Sequence, residues 1–98
     1  MNSKQYGIFY NNLIKAVSEL KNEDEAAAFF DDLCTIAEIK AMSARLEVSR
    51  QLKEGRVYSD IARDTGASTA TISRVNRCLQ YGSGGYNIIL ERLANENV

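Results

Sequence analysis

Between Tyr58 and Arg77 the chain reads Tyr-Ser-Asp-Ile-Ala-Arg-Asp-Thr-Gly-Ala-Ser-Thr-Ala-Thr-Ile-Ser-Arg-Val-Asn-Arg, two short apolar periodicities on either side of Gly66. This pattern predicts a helix-turn-helix over 58–79. Ala62 falls midway along the first helix, where a steep crossing leaves room for little more than a methyl group. Gly66, four residues later, supplies the left-handed backbone that a Cβ would oppose. Ser68 stands where it can cap the second helix. Ile61, Ile72 and Val75 have the spacing to close a small core between the two helices, which turns Thr69, Ala70, Ser73, Arg74 and Arg77 outward.

That outward face carries the chemistry of major-groove recognition. Small side chains near a helix N-terminus allow close approach to base edges, and arginine donors reach phosphate or guanine. The candidate DNA-binding residues are therefore Ser68, Thr69, Ala70, Ser73, Arg74 and Arg77. Ala-x-x-x-Gly hairpins also occur without DNA, so a second reading stands beside this one: a helical interaction module that docks a protein through the same hairpin. Salt separates the two, because counterion release makes only DNA binding strongly salt-dependent.

Charge is segregated along the chain. Lys40 to Leu79 holds eight basic residues against four acidic, net +4, whereas the remainder holds four against nine, net −5, which accounts for the overall −1. A solvated helix surface with incidental asymmetry would look similar.

The rest of the chain reads as helices, since Pro is absent throughout its 98 residues. Phe9, Leu13, Ala16, Val17 and Leu20 recur at helical spacing over about Lys4 to Lys21. Asn22 caps a second helix whose first turn carries Glu23, Asp24 and Glu25, and whose apolar face holds Ala26, Phe29, Phe30 and Leu33. Thr35 followed by Glu38 forms a capping-box pattern opening a long third helix that ends near Gly55, with Ile39, Met42, Leu46 and Leu52 facing inward. Ile88, Ile89, Leu90 and Leu93 predict a last helix over 86–95. The expectation is an all-α single domain of about six helices over residues 1–98. A chain this small buries a limited share of its surface, so a partner chain is expected to help.

Several functions are disfavoured. There is no His, and Cys34 and Cys78 lack C-x-x-C spacing, so no metal site is expected and both cysteines read as small core residues. Without His or a phosphate-binding glycine loop, no enzyme constellation is present. No segment approaches a membrane span, which leads to the expectation of a cytoplasmic protein without membrane partners.

The run Gly66-Ala67-Ser68-Thr69-Ala70-Thr71-Ile72-Ser73-Arg74 resembles the reading head of the Trp repressor. Together with Thr35-Ile-Ala-Glu-Ile-Lys-Ala-Met-Ser-Ala-Arg-Leu-Glu-Val, it is similar to the YerC/YecD-type Trp-repressor-related proteins over roughly Leu33 to Tyr81. The resemblance implies a Trp-repressor-like homodimer in which residues 1–55 supply dimerisation helices. It also implies a transcriptional regulator, a repressor by analogy, binding a palindromic site in double-stranded DNA. A pocket for L-tryptophan or another small effector is implied at Thr35, Arg45, Thr71 and Arg74, two arginines being suited to sandwiching a ring and pairing a carboxylate. Val75 departs from the pattern, because the repressor has Gly there beside the ligand; another effector, or none, fits this chain as well. Basic residues on the first reading-head helix are replaced by Ser59 and Ala62, which implies a different operator. Arg56, Tyr58 and Ser59 are left between two roles, holding phosphate or, for Tyr58 packing and for Ser59 capping, serving the fold.

Overall fold

In a computed structural model, residues 6–96 are described, and among them six helices and no strands occur: α1 (Gly7–Ser18), α2 (Glu23–Leu33), α3 (Ile36–Lys53), α4 (Tyr58–Thr65), α5 (Thr69–Tyr81) and α6 (Gly85–Glu96). Lys4 and Gln5, expected in the first helix, lie outside the described residues. The chain divides after Ile39, within α3, into two compact units.

At α2 and α3 the helix starts are set as the sequence predicts. The Asn22 side chain accepts a hydrogen bond from the Glu25 N–H, satisfying an otherwise orphaned donor at the acidic first turn of α2. At α3, the Glu38 N–H donates to Thr35 Oγ1 at 3.1 Å and the Thr35 N–H donates to Glu38 Oε1 at 2.8 Å, a reciprocal capping box. Those bonds to Thr35 hold the Glu38 carboxyl below its usual range. Neither α1 nor α2 contains a buried residue. Phe9 is 85% exposed and Ile36 75%, so amphipathic helices here leave much of their apolar surface uncovered in the single chain.

The second unit holds the core. Val48, Ile61, Ile72 and Val75 are buried together, with Leu52, Tyr58, Ala62, Ala67 and Tyr86 packed against them. On α3 the expected inward face needs correction. Ile39 and Met42 are half-buried and Leu46 is 38% exposed, while the buried residues are Val48, Ser49 and Gln51. The C-terminal half of α3 is the part that meets the core, and two of its buried polar donors find local partners, while Gln51 Oε1 is buried without one. Ser49 Oγ donates to the Leu46 carbonyl at 2.6 Å, and Gln51 Nε2 donates to Glu47 Oε2 at 2.9 Å.

Two further expectations change. Ser59 does not cap α4: the N-cap is Val57, without a side-chain bond, and its carbonyl accepts from the Ile61 N–H at 3.1 Å, so the helix opens one residue before Ser59. Cys78 is exposed and Cys34 only half-buried. Cys78 lines an open apolar groove of about 420 Å³ with Leu46, Tyr86 and Ile89.

The α5–α6 corner depends on Gly82 for reasons of space. A Cβ there would stand 2.5 Å from the Cys78 carbonyl oxygen, inside any real contact. Beyond it, Asn87 Nδ2 donates to the Leu79 carbonyl at 3.0 Å and ties α6 to the end of α5.

Candidate nucleic-acid interface

The turn between α4 and α5 is built by local bonds. Gly66 has φ +75° and its N–H donates to the Ala62 carbonyl at 2.9 Å, ending α4 in the left-handed conformation that glycine adopts freely. Thr65 Oγ1 donates to the Ile61 carbonyl and accepts from the Ala67 N–H, fixing the chain on either side of Gly66. Ser68 Oγ accepts from the Thr71 N–H at 3.1 Å and donates to Thr71 Oγ1, also at 3.1 Å. Its hydroxyl donor is used in posing α5.

Ile61 and Ile72 are fully buried and Val75 is 2% exposed. With those three facing in, Ser68, Thr69, Ala70, Ser73, Arg74 and Arg77 are all exposed. The periodicity of α5 places Ala70, Ser73, Arg74 and Arg77 on one stripe, at i, i+3, i+4 and i+7.

The charges of this unit sort into two groups. Arg50 pairs with Glu47 and Glu54, both at 2.6 Å; Arg56 pairs with Asp64 at 2.9 Å; and Arg63 pairs with Asp60 at 3.2 Å and Asp64 at 3.4 Å. Hydrogen bonds from Arg50 and Gln51 hold the Glu47 carboxyl down at about 2. All four carboxylates between Lys40 and Leu79 are thus engaged by three arginines. Lys40, Arg45, Lys53, Arg74 and Arg77 have no ion-pair partner among the described residues. Sequence reasoning missed this sorting on α4. The Arg56–Asp64 bond spans eight residues and the turn before the helix, whereas Glu47–Arg50 and Arg50–Glu54 follow helical spacing and could have been read.

The residues named for an effector pocket fall in both units. Thr35 lies in the first unit, its hydroxyl engaged in the α3 capping box. Arg45 and Thr71 are half-buried in the second unit and Arg74 is exposed. Val75 points into the core formed with Val48, Ile61 and Ile72. Arg56 is tied to Asp64, and Tyr58 packs against the core, which meets the packing role weighed for it. No group of His, Cys, Asp or Glu that could hold a metal occurs among the described residues, and none of their helices is long and apolar enough to cross a membrane.

Known proteins share this architecture. The chain is 52% identical over 83 residues to the uncharacterized protein YerC of Bacillus subtilis (strain 168), covering 85% of this chain and 80% of that one. Among solved structures, a TrpR-like protein from Eubacterium eligens ATCC 27750 superposes with a TM-score of 0.86 at 53% identity, covering 95% of this chain and 96% of its own. A candidate Trp repressor from Staphylococcus aureus gives a TM-score of 0.86 at 45% identity, covering 96% and 95%. The sequence profile of the Trp repressor protein family matches residues 9–94, and the chain therefore belongs to the Trp repressor family.

Proposed function

We propose that this protein is a sequence-specific DNA-binding regulator, a repressor by family analogy, that acts as a homodimer on a palindromic site. The observation that carries the reading is the exposed stripe of α5, which ends in two arginines, Arg74 and Arg77, left uncompensated while every nearby carboxylate is engaged elsewhere. Such cations on a posed helix are matched to a phosphate backbone. Membership of a family of regulators supports it.

Uncovered apolar surface supports the dimer. Phe9, Ile36, Ile88 at 51% and the groove beside Cys78 are exposed in the single chain, and a second copy would bury them. Two heads acting together offset the few cations on each, because the second contact becomes intramolecular. Two-fold symmetry then requires half-sites about one DNA turn apart, roughly 34 Å. Light scattering at micromolar concentration is expected to give the mass of two chains, and a compact monomer would remove this architecture.

Effector control is not required to pose the head, since Val75 fills the space between α3, α4 and α5 with its own side chain. The test of the function is selection of bound fragments from sheared genomic DNA, with purified protein at moderate salt and Arg74→Ala as control. Enrichment of a palindromic sequence by the wild type alone is the expected result. Loss of the α5 reading follows if both proteins enrich the same fragments equally.

A further inference from the structure

We propose that the tip of α5 reads thymine by its 5-methyl group, so that each half-site carries A·T pairs at the positions beneath Thr69 and Ala70; this rests on the DNA-binding reading above. The starting point is what the tip lacks. Thr69 and Ala70 are exposed, and neither has a side chain long enough for the two-point hydrogen bonding that reads guanine or adenine. Ser68 gives its hydroxyl donor to Thr71, and Thr71 is half-buried and bonded in return. The first turn of α5 carries no acidic residue to repel DNA. Beside the Thr69 hydroxyl and the first-turn N–H groups, the tip offers the Thr69 and Ala70 methyl groups, and the one apolar group in the floor of the major groove is the thymine methyl.

The arginines set the depth at which the tip sits. At about 1.5 Å of rise per residue, Arg77 lies roughly 10 Å along the axis from Ala70. The major groove is about 8.5 Å deep and about 12 Å wide. A helix that enters N-terminus first with Arg77 level with the phosphates therefore brings Ala70 and Thr69 to the base edges. Ser73 and Arg74, one turn back from the tip, face the groove wall. Because Arg56 and Arg63 are held by Asp60 and Asp64, α4 contributes no free arginine that would pull the head into a different register.

The experiment uses the 98-residue chain and the duplex it selects. Each thymine of the half-site is replaced in turn, in both half-sites, by deoxyuridine, which removes the methyl group and leaves pairing unchanged. Affinity is measured by fluorescence anisotropy. At one or two positions the loss is expected to be about fourfold per methyl and roughly fifteenfold for the symmetric pair. Thr69→Ser and Ala70→Gly, which remove the protein's methyl groups, are expected to erase the difference between thymine and deoxyuridine at the position each covers. Tight binding with equal affinity for thymine and deoxyuridine everywhere would overturn the methyl reading and leave DNA binding standing. Failure to enrich any duplex would remove both.

Discussion

Protein carrying Val75→Gly is expected to lose about 3 kcal/mol of stability and to melt roughly 15 °C below the wild type. Two effects add. Val75 is 2% exposed and packed with Val48, Ile61 and Ile72, so its removal leaves a void in the one buried cluster of the second unit. Glycine inside α5 also costs about 1 kcal/mol of helix propensity. Melts should be compared at one chain concentration, since the stability of a dimer depends on it. The same variant addresses the effector. Calorimetric titration with L-tryptophan is expected to give no heat with the wild type, because valine occupies the space. Heat from Val75→Gly alone would show that Val75 closes a pocket whose grip, Arg45, Thr71 and Arg74, is otherwise intact. No heat from either protein would mean that those residues serve other ends.

The helix-turn-helix was legible because its determinants are local. Gly66, Ser68 and the Ile61, Ile72 and Val75 spacing lie within fifteen residues, and each acts through a bond or a buried face that the structure contains. The capping box at Thr35 and the Asn22 cap were readable for the same reason. The inward face of α3 was not. Its apolar residues do not fall on one stripe, and the choice of Val48 over Leu46 is made by α4 and α5, which return to the C-terminal half of the helix after a turn. Gly82 resembled any loop glycine, although its need is set by the Cys78 carbonyl four residues earlier. Residue type alone places Cys78 in a core, whereas it is exposed and lines an open groove. Of the interface, sequence supplied the exposed stripe. The pairing that neutralises α4 and leaves Arg74 and Arg77 uncompensated needed the fold.

The double substitution Arg74→Ala with Arg77→Ala is expected to weaken DNA binding by two to three orders of magnitude at moderate salt while leaving the melting temperature within a few degrees. Both side chains are exposed and without ion-pair partners among the described residues, so truncation removes no ion pair there that holds the fold. Binding responds because a dimer loses four cations at once. If each arginine holds one phosphate, the slope of log affinity against log salt should become shallower by about 3.6, at about 0.9 per phosphate. Sequence preference is the second readout. Phosphate contacts carry no base identity, so the residual binding should keep its discrimination between the selected site and one altered beneath Thr69 and Ala70. If discrimination collapses along with affinity, at least one arginine reads a guanine edge, and the division between a methyl-reading tip and a phosphate-holding stem fails. If the salt slope is unchanged, neither arginine faces DNA, and a protein partner for the helix-turn-helix becomes the better account, since docking through apolar surface releases few counterions.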